Sequence, residues 1–425
     1  MPDATEIGDL LNRTEAYLTD VLLPFWIERS PDAECGGFLT YFDAAGRPTG
    51  QTDKTFLMQI RMLYTMASAH RAGYGGGRCG ELARMGADFL LEHYWDDEHD
   101  GWFWIADRRG RPIVTDKIGY GQCFAMYAFG EHYLATADER PREAALRTYG
   151  AICRHMADTR RGGYHELMRR DWHPMPPGRA GGDRKSLDVH MHMMEALTNL
   201  LEMTGSQTHR RRLNETIDLI LTRMLDPKTR LGWMQFSLDF APLRAILFET
   251  EWGRDADPAE ADEAHPLDMT SPGHNVELAW LLLHAADVLG VDRDTYADVL
   301  AAACDHCIEY GLDGEFGGVY ADVPISRGPV KLEKQFWQQA EVLIGMLDAV
   351  ALLGDEKYWR AFRNVYDFVF DKFVAMAAGG EWYERVDRHG NPIDDALGHA
   401  WKISYHTVRS MIQVVKRLRR LADET

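Results

Sequence analysis

The chain has 425 residues, of which 45% are hydrophobic and 27% charged, a composition that indicates a folded protein and excludes disordered and fibrous classes. Lys and Arg number 47 against 66 Asp and Glu, so the formal net charge of -19 argues against nucleic acid as a partner. The N-terminus has no basic region followed by an apolar run, and no later segment reaches the roughly 20 apolar residues that a membrane span needs. We therefore expect a cytoplasmic protein without a membrane partner.

Six short strand-like segments along the chain begin with Gly or with a Gly-aromatic pair. Their starts are 65, 61, 70, 85 and 63 residues apart. Each is followed by a loop, by a helix-period stretch rich in His, Trp, Tyr and Gln, and by a second, amphipathic helix. The six segments are Gly36-Gly37-Phe38, Gly101-Trp102-Phe103, Gly162-Gly163-Tyr164, Gly232-Trp233-Met234, Gly317-Gly318-Val319 and Gly380-Glu381-Trp382.

The repeated pattern predicts two helices for each of six units. A helix whose polar residues are aromatic or amide suits the inside of a barrel, and an Arg- and Glu-rich helix suits the outside. We predict an all-α (α/α)6 barrel of twelve helices with short β-hairpins at the rim where the inner helices begin, as a single domain over residues 1–425. The predicted inner helices are 53–72, 116–135, 185–204, 272–289, 333–352 and 401–420, and the outer ones 80–94, 140–157, 207–224, 293–308 and 355–374, with 6–29 closing the ring.

The third predicted inner helix carries four polar residues at spacings of four, three and four, which places them on one face: Asp188, His192, Glu195 and Asn199. His190 falls on a separate, mainly apolar face. Burying four polar groups in register is costly without a purpose, which favours a functional face with His192 toward a cavity. The alternative is that both histidines are satisfied structural residues.

The fourth predicted inner helix begins at Ser271-Pro272, residue types that favour a helix start. His274 and Glu277, three residues apart, lie on one face of its first turns. A carboxylate at this spacing can fix the tautomer of the imidazole and raise its basicity. The alternative is a helix-capping histidine beside a solvated glutamate.

The sixth predicted inner helix holds His406 in its first turns, directly after Trp401. An exposed indole is a flat apolar platform of the kind that stacks on sugar rings. The alternative is an aromatic core cluster with one incidental histidine.

The remaining inner helices add further unusual residues, each of which also fits a packing role: Arg61, Tyr120, Gln122, Trp337 and Glu341. In every repeat these residues fall at the start of the inner helix. Closure of the ring would therefore gather them at one mouth of the barrel.

Metal and phosphate chemistry have little support in the sequence. No H-E-x-x-H motif occurs, His274 and Glu277 are only half of a helical metal site, and Cys304 and Cys307 lie on the apolar face of a predicted helix. We predict no metal. A Gly-rich phosphate loop and a Gly-x-Ser-x-Gly elbow are also missing. A glycosidase would use a carboxylate pair, for which four residues are available beside the histidines: Asp188, Glu195, Glu277 and Glu341.

Several separate motifs occur in one order along nearly the whole chain: Gly36-Gly37-Phe38, Gln59-Ile60-Arg61, Tyr120-Gly121-Gln122, His190-Met191-His192, Gly273-His274-Asn275-Val276-Glu277, Trp337-Gln338-Gln339-Ala340-Glu341, Trp401-Lys402 and Tyr405-His406. With these motifs the sequence resembles the N-acylglucosamine 2-epimerase superfamily, and within it the cellobiose 2-epimerases. The resemblance implies an (α/α)6 barrel and a cofactor-independent sugar epimerase or isomerase. It implies that His274 and His406 form the acid/base pair. It also implies that His192 assists ring opening and polarises the carbonyl, and that Arg61 holds the reacting oxygens.

Two positions depart from that family pattern. Asp188 stands where the cellobiose enzymes usually carry Asn, and Phe336 stands where a second Trp is common before Trp337. The pair Trp401-Lys402 nonetheless resembles the cellobiose and mannose 2-epimerase branch rather than the mannose isomerase branch. The preferred sugar is left open between a disaccharide and free mannose or glucose.

Epimerisation at C2 of an aldose accounts for these residue types. The reaction needs ring opening, removal of the proton alpha to the aldehyde, stabilisation of a cis-enediolate, and return of the proton to the other face. Two histidines can serve the two faces, and Glu277 would bias His274. Arg61 and His192 would take the developing negative charge that some other aldose isomerases give to a metal. The expected substrate-binding residues are Tyr120, Asp188, Trp337, Trp401, Glu195 and Glu341.

We therefore expect an isomerase, without cofactor, that interconverts gluco- and manno-configured reducing sugars, either cellobiose- and epilactose-type disaccharides or free mannose and glucose. Its expected partner is a small-molecule sugar, and its expected state is a monomer or weak homodimer. Three alternatives stay open: an aldose-ketose isomerase of the same superfamily, a glycoside hydrolase on the same barrel, and a carbohydrate-binding or protein-interaction module without activity.

Overall fold

Helices alternate between the inside and the outside of a ring in the computed structural model, which describes residues 3–248 and 266–424. In chain order the α-helices of the described residues are α1 Ala4–Tyr17, α2 Leu23–Arg29, α3 Phe56–Arg71, α4 Arg78–His93, α5 Gly119–Thr136, α6 Glu139–Ala151, α7 Leu187–Thr204, α8 Gln207–Leu219, α9 Pro272–Leu289, α10 Ala297–His306, α11 Phe336–Leu353, α12 Glu356–Phe368 and α13 Ser404–Glu424.

The inner helices α3, α5, α7, α9, α11 and α13 form a closed ring, because each packs against the next and α13 packs against α3. Each of the first five also packs against the outer helix that follows it, and α13 packs against α1. The inner helices are buried almost all round, whereas the outer helix α12 buries one side only. This arrangement confirms the predicted (α/α)6 barrel and the closing role of the N-terminal helix.

The inner helices begin two or three residues later than predicted in five of the six units. In four of these units the reason is that the residues just before the helix form a short β-strand, whereas no strand of the described residues directly precedes α13. The described strands are β1 Lys54–Thr55, β2 Ile105–Ala106, β3 Pro112–Val114, β4 Lys117–Ile118, β5 Leu167–Met168, β6 Arg184–Ser186, β7 Gln235–Ser237, β8 Pro242–Leu243, β9 Met269–Thr270, β10 Val323–Pro324, β11 Lys334–Gln335, β12 Arg385–Val386 and β13 Pro392–Asp394. All pair antiparallel in five small sheets, in the orders β1-β2-β3, β4-β5, β6-β7-β8, β9-β10 and β11-β12-β13. The predicted rim of short β structure is confirmed.

The outer helices end differently from the prediction, which ran each as one continuous helix. Five of them finish in, or are interrupted by, a π turn, at Leu18–Leu22, Ile152–Met156, Ile220–Met224, Cys307–Gly311 and Val369–Phe373. After the outer helix, one residue makes a single β-bridge to the next Gly segment, as Pro31 does with Phe38. The Gly segments are therefore tight turns rather than strands. At Gly37, with φ of 64°, a Cβ would lie 2.7 Å from the Phe89 ring, so a side chain does not fit.

Buried lysines at the starts of the inner helices tie the rim together. Lys54 shows the pattern: its Nζ donates to Asp32 Oδ2 at 3.1 Å, to the Gly36 carbonyl at 2.5 Å and to the Arg108 carbonyl at 2.9 Å. All three ammonium donors are thus satisfied, which a buried lysine requires. The five anchor lysines, each paired with a buried carboxylate, are Lys54, Lys117, Lys185, Lys334 and Lys402. Thr270 takes this position in the fourth unit and donates to the Gly232 carbonyl.

Counting from each anchor position gives the register of the barrel lining. The residue five places after each anchor position holds the Gly segment. Gln59, for example, accepts from the Phe38 N–H and donates to the Phe38 carbonyl, both at 2.8 Å. Its counterparts are Gln122, His190, Asn275, Gln339 and Thr407. The residues seven places after the anchor positions form a layer of side chains inside the barrel: Arg61, Phe124, His192, Glu277, Glu341 and Arg409. This layer thus lies two residues, about half a helical turn, beyond the residues that hold the Gly segments.

One helix of the described residues, α11, is long and apolar enough by composition to cross a membrane, although no such segment was expected. Its sequence is apolar because it is a core helix, and 78% of it is buried. Cys304 and Cys307 are likewise buried, and burial raises the pKa of the Cys307 thiol to about 12, which fits packing.

Candidate active site

The predicted site residues meet at one end of the barrel, within or next to the first turns of the inner helices. Ser186 and Ser271 cap α7 and α9 by accepting from backbone N–H groups, which fixes the helix starts that carry the histidines. Two residues named from the sequence lie apart from the site, since Asn199 donates to Glu131 and Gln122 holds Trp102. The residues expected to be catalytic or substrate-binding belong, through Arg409, to one connected set of contacts: Arg61, Tyr120, Asp188, His192, Glu195, His274, Glu277, Trp337, Glu341, Trp401 and His406.

Arg61 and Tyr120 form one wall of this site. The guanidinium Nη2 of Arg61 donates to the Tyr120 hydroxyl at 2.8 Å, and that hydroxyl lies 3.2 Å from Nε2 of His192. The Arg61 guanidinium also lies 4.6 Å from the centre of the Phe124 ring and 4.8 Å from that of Tyr405. Aromatic faces hold the cation in place and leave it able to attract an oxyanion.

His192 lies between two carboxylates. Its Nδ1 is 2.8 Å from Glu195 Oε2, and its Nε2 is 3.2 Å from Asp188 Oδ1. Burial works to lower the pKa of this imidazole, but the hydrogen bonds to Asp188 and Glu195 outweigh burial and raise the pKa to about 10. His192 is therefore a cation at neutral pH.

His274 has a different carboxylate neighbour from the one predicted. Its Nε2 lies 3.5 Å from Asp188 Oδ1, whereas Glu277 Oε1 accepts from Arg409 Nη2 at 2.6 Å. The predicted contact between Glu277 and His274 does not occur among the described residues, because the Glu277 carboxylate pairs with Arg409 instead. The ring of His274 lies 4.5 Å, centre to centre, from the indole of Trp337 and is a quarter exposed.

His406 is the more deeply buried of the two predicted acid/base histidines. Its Nδ1 lies 2.7 Å from Glu341 Oε1, which leaves Nε2 free of that carboxylate, and its ring is 5.9 Å from the Trp337 indole. Burial, and then the positive charges of Arg61 and Arg409, lower the pKa of His406 well below its usual value. His406 is therefore neutral at pH 7 and able to accept a proton.

Arg409, which is not among the residues predicted for the site, lies at the centre of the charge network. Its guanidinium donates to Glu195 at 2.6 Å, to Glu277 at 2.6 Å and to Glu341 at 2.7 Å, and to the Tyr405 hydroxyl. All four side chains of these charged residues are at most 1% exposed. Its position in the sequence could have indicated a place inside the barrel, because it lies three residues after His406 and seven after the anchor Lys402.

The close approach of the carboxylates around Arg409 affects their pKa values. Burial, followed by repulsion from Glu341, raises the pKa of Glu277 to about 7, despite the opposing charge of Arg409. Glu277 Oε2 is buried and accepts no hydrogen bond within the described residues. Glu277 therefore takes up a proton more readily than an exposed glutamate does.

One group of side chains in this site could hold a metal ion by distance alone, although no metal was predicted. Ligand atoms of Glu277, Glu341 and His406 lie within 4.8 Å of one another. The guanidinium of Arg409 donates to both carboxylates and supplies the positive charge that an ion would bring. The donor set is therefore already balanced by a side chain of the same protein.

Aromatic residues and a side cavity complete the mouth. The Trp401 ring lies 6.0 Å from Trp104 and 6.1 Å from Tyr120, next to Arg61. A cavity of about 220 Å³ opens beside Asp188 and His274 and is lined further by Trp233, Ile246 and Phe248. The charged centre thus has an aromatic wall on one side and a mainly apolar cavity on the other.

Comparison with known proteins places this geometry in a family. The family model of the N-acylglucosamine 2-epimerases matches residues 36–410. A cellobiose 2-epimerase of Bacteroides fragilis is 29% identical over 424 residues, covering 96% of this chain and 98% of the relative. A D-mannose isomerase of Thermobifida fusca is 26% identical, covering 82% and 81%.

A solved cellobiose 2-epimerase of Bacillus thermoamylovorans shares the fold with a TM-score of 0.85 at 23% identity, covering 96% of this chain and all of that one. The family and these relatives are named for epimerases and isomerases, which confirms the predicted enzyme class, an isomerase. The chain belongs to the N-acylglucosamine 2-epimerase family.

Proposed function

We propose that this enzyme is a cofactor-independent carbohydrate 2-epimerase that interconverts gluco- and manno-configured reducing sugars through a cis-enediolate. The observation that carries the proposal is the convergence of His274 and His406, from different inner helices, on the indole of Trp337. An open-chain sugar lying against that indole has an imidazole available on each side of C2. Epimerisation needs this, because the proton must leave one face and return to the other.

The charge distribution supports the same chemistry. Neutral His406 is able to take the C2 proton through Nε2, while Glu341 stabilises the imidazolium that forms. The negative charge then develops on O1 and O2 of the enediolate. Arg61, Tyr120 and the cationic His192 form a preorganised set of donors that would stabilise those oxygens. His192 would also assist ring opening by protonating the ring oxygen.

The carboxylates are a poor match for the alternative of glycoside hydrolysis. A hydrolase needs two carboxyl groups flanking the scissile bond. Glu195, Glu277 and Glu341 instead converge on Arg409, which holds them beneath the histidines. Hydrolysis would leave the acid/base histidines without a role.

The mouth of the barrel suits a substrate larger than one reacting sugar unit. Trp337 and Trp401 offer aromatic surfaces, and the cavity beside Asp188 and His274 has room next to the reacting carbons. The Bacteroides fragilis relative is named for cellobiose. We therefore propose cellobiose- or epilactose-type disaccharides, or free mannose and glucose, as substrates of a monomer or weak homodimer in the cytoplasm.

The test is NMR of the protein with mannose, glucose, cellobiose and N-acetylglucosamine in deuterated water. The expected result is deuterium incorporation at C2 together with the C2 epimer as the main early product of at least one sugar. Dominant fructose or cellobiulose would replace the proposal by an aldose-ketose isomerase, for which the Thermobifida fusca relative is the precedent. Cleavage of cellobiose would indicate a hydrolase. Absence of C2 exchange with all four sugars would refute the proposal in favour of a binding module.

A further inference from the structure

Two imidazoles from different inner helices converge on a single carboxylate oxygen. Asp188 lies in the first turn of α7, and its Oδ1 is 3.2 Å from Nε2 of His192 and 3.5 Å from Nε2 of His274. Asp188 is one-third exposed at the mouth, whereas His192 is buried. The carboxylate therefore lies above His192 and beside His274, between the two imidazoles.

The distances favour one placement of the protons. Asp188 Oδ1 lies at ion-pair distance from both imidazoles without a hydrogen bond of standard geometry, and a carboxylate at this distance favours a proton on each Nε2. His192 has a second carboxylate, Glu195, on its Nδ1, and therefore holds protons on both nitrogens. For His274, Asp188 is the carboxylate within 4 Å among the residues that the structure describes.

Other charged groups face the same pair. Arg61 attracts the Asp188 carboxylate, and Glu277 adds to the negative potential at His192. Tyr120 contacts His192 Nε2 from α5, and the Trp337 indole packs against His274 from α11. Burial works to raise the pKa of Asp188, but His274 and then His192 outweigh it, so the pKa lies below the usual value and the carboxylate stays ionised at neutral pH.

We propose that Asp188 is a positioning residue that keeps a proton on Nε2 of His274, so that His274 enters the reaction as the proton donor while His406 enters as the acceptor. The inference rests on the proposed epimerase function. In that cycle the C2–H bond breaks toward His406 and its electron pair forms the enediolate. The proton on His274 then forms the new C2–H bond on the other face, and before the next turnover in this direction His406 releases its proton to solvent and His274 takes one up. In the reverse reaction the two histidines exchange these roles.

The variant Asp188→Asn tests this role, because the amide keeps the shape and one acceptor oxygen but removes the charge. The matched control is Asp183→Asn, which removes one charge from the same segment. Asp183 accepts from the Gly178 N–H and contacts neither imidazole. Both residues are partly exposed, so both variants are expected to fold.

The first measurement is NMR titration of 13C-labelled histidines in the free protein, with the His274 signal assigned through its loss in His274→Asn. Removing a carboxylate partner lowers the midpoint of an imidazole by about one pH unit, a tenfold change in its acid dissociation constant. We expect this shift for His192 in Asp188→Asn, together with loss of the Nε2–H form of neutral His274 in its 13C shifts, and neither change in Asp183→Asn. An unchanged Nε2–H signature of His274 in Asp188→Asn would overturn the inference.

The second measurement is the pH profile of kcat/KM for C2 exchange. The alkaline limb is expected to move about one pH unit lower in Asp188→Asn and to stay in place in Asp183→Asn. If the NMR signals change but the pH profile stays in place, Asp188 has no role in the reaction. If the wild-type protein showed no C2 exchange, the proposed function would fail, yet the NMR titration would still decide whether Asp188 holds the His274 proton.

Discussion

Replacing Arg409 by Met should destabilise this protein more than any comparable loss of an arginine on the same helix. Met fills much of the same space, but it leaves Glu195, Glu277 and Glu341 buried without their shared cation. Breaking a buried ion pair from one side costs about 3–5 kcal/mol, because the remaining charge keeps its desolvation penalty. With three carboxylates at 2.6–2.7 Å from the guanidinium, each at most 1% exposed, we expect the upper part of that range at pH 8.

The loss should depend on pH, and the sign follows from the carboxylates. Arg409 counteracts burial and helps lower the pKa of Glu195 to about 2, so this group stabilises the folded state above pH 4.5 and loses that contribution on acidification. Without Arg409 the three carboxyl groups of the folded state take up protons more readily than before. We expect the loss of unfolding free energy to be smaller by about 1–2 kcal/mol at pH 5.5 than at pH 8.

Urea denaturation followed by circular dichroism at both pH values measures the effect. Arg417→Met is the control. Arg417 lies two turns further along α13 and pairs with Asp348, and in the variant Asp348 still has Arg293 and Arg420 as charged neighbours. This control should cost about 1–2 kcal/mol at either pH. A loss in Arg409→Met no larger than in the control, or equal at the two pH values, would refute the reasoning.

Further predictions concern catalysis and organisation. His406→Asn and His274→Asn should each slow C2 exchange at least about a hundredfold with an unchanged circular dichroism spectrum, and near-normal rates in both would contradict the acid/base assignment. Because the pKa of His406 is far below its usual value, kcat/KM should not fall between pH 7 and 6, and a decline centred near pH 6.5 would show that this imidazole titrates normally. Turnover should survive exhaustive chelation, whereas loss with recovery on adding one divalent metal would assign an ion to the site. Limited proteolysis should yield no pair of independently stable halves, as a single domain over 1–425 requires.

The architecture could be predicted from the sequence because the signal is periodic and repeated. Six units of similar spacing, each with a 3.6-residue hydrophobic period, leave few closed arrangements other than a ring of helix pairs. The starts of the inner helices were placed a little early, since Lys54-Thr55 and its counterparts continue the helical pattern of polar and apolar residues. Their β pairing depends on partners such as Ile105-Ala106, some fifty residues away, which no local pattern reveals.

The sequence could predict which residues belong to the site, but not which of them contact each other. Histidines and carboxylates at helix starts could be selected because polar residues on an apolar face need a reason. Which carboxylate serves which histidine is decided across the barrel: Glu341 of α11 meets His406 of α13. Arg409 escaped selection because an arginine near the end of a polar stripe also fits an exposed position, and only closure of the ring places it among three glutamates.

The separation between anchoring and reacting positions has an evolutionary consequence. The residues at the anchor positions and five places later hold the rim, while residues three and four places after the anchor, such as Asp188, His274 and His406, contribute to the chemistry on the same helices. A mutation at a third or fourth position therefore alters reactivity and leaves the hydrogen bonds that build the mouth intact. A barrel built in this way can acquire activity toward new substrates by single substitutions, because these substitutions leave the hydrogen bonds of the rim unchanged.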